Sequence, residues 1–304
     1  GLAHDVAALW RDRREELGFP LGRADVADPV PEVAPTPAPA DGPRAFVVEL
    51  GTEELPAADV ARAVATLEER TPEVLAAARL DHGAVRVLGT PRRLIVEVAD
   101  VAPATEAQER TVKGPKVAAA FDADGNPTKA AEGFARSRGT TVDALDRITV
   151  GGAEHLAVTE REDGRPAAEV LAEVVPDLLG SLRFGRNMRW RPGGDALAFS
   201  RPVRWLVALV GDAVVPTAWA GLAAGRATRL FRAPGSPTVD VASAEGLLGA
   251  LTDGGLMPDR DERRAAIVDG TAALAATVRG TVDVDRWGNL VDEIVDLVEA
   301  PTPV

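Results

Sequence analysis

The sequence predicts an α+β protein in which mixed-sheet N-terminal domains are followed by a helical C-terminal segment. Short apolar runs rich in β-branched residues recur near 45–50, 85–88, 94–98, 156–159, 203–210 and 214–220, most of them flanked by Gly, Pro or Asp. Between them lie stretches whose apolar positions are three and four apart, the spacing of one helix face. Over the last seventy or so residues the strand signal fades and the helical spacing alone persists.

At the start, Leu2, Val6, Leu9, Trp10 and Leu17 stand at helical spacing with charged residues from Arg11 to Glu16 between them. This predicts a short amphipathic helix stopped near Gly18, ahead of Pro20. From Asp25 to Pro43 large apolar anchors are missing, and PVPEVAPTPAPADGP holds six prolines. Such a stretch buries too little surface to fold and is expected to be an extended, mobile linker, with the preceding helix packing weakly or not at all on the main body. Residues 1–22 are therefore read as the tail of another region, 23–44 as the linker, 45–235 as the α+β domains and 236–304 as the mainly helical segment.

Globular patterning begins at Ala45, where AFVVEL is a strand bounded by Gly51. Ala57 to Arg70 reads as a helix through Val60, Val64 and Leu67, and a second helix begins with Pro72 in its first turn and runs to Leu80. The runs 85–88 and 94–98 form a strand pair joined by Gly89-Thr90-Pro91. Asp124-Gly125-Asn126-Pro127 is turn chemistry, and Thr128 is placed to N-cap a helix through Arg138. A helix over 166–175 follows the strand at 156–159, and three helices over 244–251, 259–278 and 288–299 close the chain.

Composition narrows the chemistry. Without cysteine there is no disulfide framework, thiolate metal site or thiol nucleophile, and three scattered histidines do not make a zinc cluster. No run approaches the ~18 uninterrupted apolar residues of a membrane span, and the start lacks a secretory signal pattern, so the chain reads as cytoplasmic. A net charge of −13 opposes nonspecific attraction to nucleic acid. One stretch runs the other way: between Arg183 and Arg232 nine arginines face two aspartates, whereas from Ala233 onward thirteen carboxylates face five arginines. That division predicts a basic face and an acidic one.

Several segments, taken in order, resemble the beta subunit of the bacterial two-subunit type of glycyl-tRNA synthetase. They are FVVELGTEELP (Phe46 to Pro56), TPRRL (Thr90 to Leu94), KGPKVAAAFDADGNPTKAAEGFAR (Lys113 to Arg136), MRW (Met188 to Trp190), FSRPVRWLVALVGD (Phe199 to Asp212) and NLVDEIVDLVEAP (Asn289 to Pro301). VAALWRDRREELGFPL, before the linker, resembles the C-terminal end of that family's alpha subunit, as in a fused alpha–beta polypeptide. Two departures stand out. GRATRLFRAPG (Gly225 to Gly235) lacks the histidine the family tends to carry there, and Ala300 stands where a tryptophan is usual.

What the resemblance implies is a glycine–tRNA ligase: ATP activates glycine as an adenylate, and the terminal ribose hydroxyl of tRNA(Gly) takes the glycyl group. The chemistry, with ATP and Mg2+, falls to an alpha catalytic region that this sequence does not include, so the fragment is expected to be inactive alone and to hold no cofactor. The beta region would position the tRNA, and the enzyme would be a homo-oligomer through its alpha part. An HD-like region and an anticodon-arm region would follow residue 304. The alternative is a noncatalytic assembly module that docks the alpha subunit without touching RNA.

The residues offer no catalytic constellation and no metal set. Glu53 and Glu54 are adjacent at a strand end, point to opposite faces and are read as complementing a helix N-terminus. His82 and His155 are structural or exposed, and Gly151-Gly152 and Gly193-Gly194 are hairpin turns rather than phosphate loops. The tRNA-binding candidates are all basic or aromatic. Arg92 and Arg93 precede a strand, so alternation would leave at least one facing solvent, for phosphate contact or as surface charge. Lys129 and Arg136 lie on one helix, as RNA contacts or a solvated face. Arg186, Arg189 and Trp190 combine cations with a ring, for exposed nucleotides or for core packing. Arg201, Arg226 and Arg229 complete the basic stretch, and Trp205 is assigned to the core.

Overall fold

A computed structural model describes residues 1–17, 31–122, 124–190, 198–232 and 235–304. These form two compact units, one of residues 1–103 with 166–304 and a second of 104–165.

In the first unit α1 (Leu2–Leu17) leads, and every described side chain on it is exposed, Leu2 at 81% and Trp10 at 43%. Residues 31–43 of the expected linker carry no helix or strand; residues 25–30 lie outside the described part. This stretch is not wholly free of the body. Pro31, Ala34, Pro37 and Ala40 are each partly buried, a period of three that matches a polyproline II helix with one edge against a surface. Pro37 to Asp41 line a cavity of about 220 Å3 together with Arg44, Val101 and Pro166.

Then come β1 (Arg44–Thr52), α2 (Ala57–Ala77), β2 (Val85–Thr90) and β3 (Arg93–Val101). The two helices expected around Pro72 are one. Val60, Ala63, Leu67, Thr71, Val74 and Leu75 continue a single buried stripe past the proline. Pro72 itself is exposed, and so is Glu68, whose carbonyl would have accepted its missing N–H. The hairpin turn is Pro91-Arg92 rather than Gly89-Thr90-Pro91, because Thr90 still pairs with Arg93.

The second unit follows, with β4 (Gln108–Lys116), α3 (Val117–Ala120), α4 (Lys129–Ser137), β5 (Asp146–Val150) and β6 (Ala153–Glu162). Its antiparallel sheet runs β4-β6-β5 around Ala120, Ala131 and Leu156, with Phe121 and Phe134 packed alongside. Strands β4 and β5 escape the sequence pattern because their outward positions are charged and no long apolar run marks them. Gly151 and Gly152 join β5 to β6 with φ of 60° and 78°, as a tight hairpin requires. Thr128 occupies the N-cap position, but its hydroxyl donates to the Ala119 carbonyl and caps nothing.

The chain then returns to the first unit with α5 (Ala167–Gly180), β7 (Met188–Arg189), β8 (Ala198–Phe199), β9 (Val203–Val210), β10 (Ala213–Val214), β11 (Ala218–Trp219), β12 (Leu222–Ala223), β13 (Ala227–Arg229) and β14 (Thr238–Asp240). The helices α6 (Leu247–Asp253), α7 (Arg260–Thr277) and α8 (Gly288–Val295) finish it. Asp259 N-caps α7, accepting the amide protons of Asp261 and Glu262 at 2.8 and 3.0 Å. No described helix is long and apolar enough to cross a membrane.

The main sheet has the order β10-β9-β1-β3-β2. The α+β class holds, but the ladders are antiparallel where mixed sheets were expected, and the one parallel pairing among the described residues is an isolated bridge between Val207 and Gly225. Central β1 is buried on both faces, which explains its near-continuous apolar run. Phe46, Val48 and Leu50 pack with α2 and α5, while Val47 joins Ile95, Trp205 and Val207 against α6. Glu49 and Arg93 belong to that second face.

Candidate nucleic-acid interface

Three segments of the basic and acidic motifs meet at one end of the main sheet. Gly51 of β1 stands opposite Arg93 on β3 and opposite Trp205 on β9, so these three residues form one row across the sheet. A Cβ on Gly51 would fall 1.9 Å from Trp205 Cδ2: the indole lies across the glycine, and only hydrogen fits beneath it. Three guanidinium carbons approach that ring, from Arg92 at 5.8 Å and from Arg93 and Arg229 at 5.5 Å each.

Arg92 and Arg93 are both buried, at 5% and 0% exposure, so neither faces solvent as alternation had suggested. The reason is a third layer that the local pattern does not reveal. Arg93 Nη1 donates to Glu49 Oε1 at 3.0 Å and to the Arg229 carbonyl at 2.9 Å, and its Nε donates to Glu299 Oε1 at 3.0 Å. Thr90 Oγ1 donates to the same Glu299 oxygen at 2.7 Å. Burial pushes the Glu49 carboxyl above its ordinary range, against the pull of the Arg93 charge and the hydrogen-bonding groups around it. Nearby Arg263, with no exposed surface, donates to the carbonyls of Gly89, Met257, Pro258 and Val295 and so ties β2 to α7 and α8. Desolvation lowers its pKa, with Asp296 opposing.

Outside this buried network the same end of the sheet is rimmed by accessible charge. Glu53 pairs with Arg204 at 3.2 Å and Glu54 with Arg232 at 2.7 Å, so the two adjacent carboxylates serve two arginines rather than a helix N-terminus. The rim continues over α2. Ser200 Oγ donates to Asp59, which pairs with Arg62 at 3.5 Å, and Arg62 in turn borders Gly185, next to exposed Arg186. Arg186 makes no hydrogen bond or ion pair among the described residues, and Arg189 is exposed on β7.

The other candidates are dispersed. Trp190 is half-buried, packs against the main core and donates its indole N–H to the Phe199 carbonyl at 3.0 Å. Phe184, the other ring of that stretch, is buried edge-on to Phe199 at 4.6 Å, so core packing rather than an exposed stacking platform describes both rings. Arg201 is half-buried and donates to the Ser200 carbonyl. Arg226 sits beyond the opposite end of β9, where its guanidinium is occupied by the carbonyls of Asp212, Val241 and Ala242. Lys129 and Arg136 are exposed in the second unit, seven residues apart on α4 and hence on one face. Arg191 and Gly193-Gly194 lie outside the described residues. Among the described residues no group of three or more His, Asp or Glu could hold a metal ion.

Sequence reasoning missed Glu49, Glu299 and Arg263. A lone carboxylate inside the run FVVEL was the available signal for the first, since a strand buried on both faces leaves no solvent side for it. No local signal marks Glu299, whose partners lie more than 200 residues away in the chain.

Residues 46–304 match the sequence model of a family described as glycyl-tRNA synthetase beta subunit. The chain is similar to the Arabidopsis thaliana glycine–tRNA ligase, chloroplastic/mitochondrial 2, with 40% identity over 310 residues that cover 100% of this chain and 28% of the relative. It is also similar to glycine–tRNA ligase beta subunits from Desulforamulus reducens (40% over 257 residues, 84% of this chain, 36% of the relative) and Myxococcus xanthus (40% over 261 residues, 86% and 37%). The chain thus spans about a third of the length of these relatives.

Proposed function

The chain belongs to the glycyl-tRNA synthetase beta subunit family, and from that premise we propose that it is the part of a glycine–tRNA ligase that holds tRNA(Gly) while the reaction proceeds elsewhere. The observation that carries this is the rim of accessible arginines at one end of the main sheet. Arg62, Arg186, Arg204 and Arg232 come from separate segments of a chain whose net charge is −13. Phosphate recognition is the chemistry that a convergent arginine set serves. Catalysis would then be by positioning, with the ribose terminus delivered to an alpha catalytic region that binds ATP, Mg2+ and glycine.

A fused alpha–beta arrangement is supported by the extent of the alignments; assembly through the alpha part and a place in the cytoplasm belong to the same proposal and rest on the sequence resemblance alone. The plant relative aligns over the whole chain, including residues 1–45, whereas the two bacterial beta subunits align over 84% and 86% of it. A second reading, docking of protein rather than RNA, has its own observation: Val278, Trp287 and Leu297 at the helical end are 79%, 51% and 52% exposed.

The test is Arg186→Ala with Arg189→Ala in the complete enzyme. Aminoacylation should weaken through tRNA use, and the salt dependence of tRNA binding should flatten by about 0.7–0.9 in log–log slope for each phosphate left without its arginine. Glycine-dependent exchange of ATP with pyrophosphate should be unchanged. Normal charging at both low and high salt would favour the docking reading.

A further inference from the structure

Resting on that reading, we propose that Glu53 and Glu54 are phosphate surrogates: each holds an arginine of the rim, Arg204 and Arg232 respectively, which passes to a backbone phosphate when RNA binds. The dipeptide is built to do this. The Glu53 amide donates to the Pro202 carbonyl at 2.9 Å and the Leu55 amide to the Pro91 carbonyl at 2.7 Å. The backbone carrying both carboxylates is therefore pinned between the segment leading to Arg204 and the β2–β3 turn. The chain bends at Glu53, just past the end of β1, and one carboxylate reaches the start of β9 while the other reaches the loop after β13.

The pairs are poor candidates for fold stabilisers. Side-chain exposures are 47% and 34% for Arg204–Glu53 and 59% and 61% for Arg232–Glu54, and pairs so open to water contribute little to folding. Their chemistry suits exchange instead, because carboxylate and phosphodiester oxygens accept from the same guanidinium fork. The exposed carboxylates have water to swing into when displaced. Since displacement costs every RNA the same, a ligand that reaches only one or two arginines is held off, while one that engages the whole rim overcomes it. A basic rim with this device raises the number of arginines that an RNA must engage before it is held.

The experiment uses the complete enzyme carrying Glu53→Gln or Glu54→Gln, with tRNA(Gly) and a noncognate tRNA titrated by fluorescence anisotropy across salt concentrations. Each substitution should tighten binding by about two- to fivefold, the range an exposed pair's strength sets. Cognate and noncognate tRNA should gain by the same factor, each with a steeper salt slope, because the displacement cost is common to both. Glu73→Gln is the control, since Glu73 pairs with Arg70 on α2 and its loss changes the charge equally. If Glu73→Gln tightens binding as much, net charge is the cause and the surrogate role is overturned. If the Gln variants bind as the parent does while Arg204→Ala and Arg232→Ala weaken binding, the surrogate role fails and the tRNA-holding function stands. If none of the four alters binding, this end of the sheet is not an RNA surface and both fall.

Discussion

Replacing Glu299 with alanine probes whether a buried charge fastens the helical end to the sheet. The side chain is 5% exposed and accepts from Arg93 Nε and Thr90 Oγ1, 206 and 209 residues away in sequence. Its loss leaves a fully buried guanidinium with Nε unpartnered, although Nη1 keeps Glu49 and the Arg229 carbonyl. Removing one member of a buried pair costs ~3–5 kcal/mol, and the retained partners put this case near ~3 kcal/mol. For a unit of this size that corresponds to a melting point lower by roughly 6–12 °C. Thermal and urea denaturation followed by circular dichroism would read it. Glu299→Gln, which keeps an acceptor for Arg93 and Thr90 and loses only the charge, should lie between Ala and the parent. An alanine variant melting within about 2 °C of the parent would show that apolar packing alone holds this segment and that the ion pair is incidental.

Gly51→Ala should drive the Trp205 ring off its seat and cost ~1–3 kcal/mol as overpacking, seen as a lower urea midpoint; Trp205→Leu in the same chain should recover part of the loss, and no recovery would mean the clash lies elsewhere. Glu49 titrates above its ordinary range in the fold, so the folded chain binds the extra proton and stability from this group falls as pH rises from the unfolded carboxyl's pKa toward the raised folded one. Glu49→Gln, which cannot ionise, should therefore improve relative to the parent as pH rises through that window, measured by denaturation at a series of pH values. A difference that stays flat with pH would show that Glu49 keeps its ordinary pKa.

What the sequence determined by itself was whatever local periodicity encodes. The strand at 203–210 and the helix at 2–17 coincide with the structure to the residue, and 259–278 shifts only by its two caps, Asp259 and Val278. The motif order also carried the family, since FVVELGTEELP, TPRRL and FSRPVRW are specific whatever their neighbours in space. Where local chemistry and long-range burial disagree, local chemistry misleads. Pro72 reads as a helix start, but the buried stripe on either side of it makes one helix, and β4 and β5 pair without an apolar run to announce them. Only the tertiary structure decided the fate of the arginines. Arg93 and Arg186 look alike in sequence, yet one is sealed between Glu49 and Glu299 and the other stands in water, because a side chain's partners are set by strands and tails far away in the chain. The row of Arg93, Gly51 and Trp205 across three strands exists only once register is fixed, and register is a property of the paired strands rather than of any one of them.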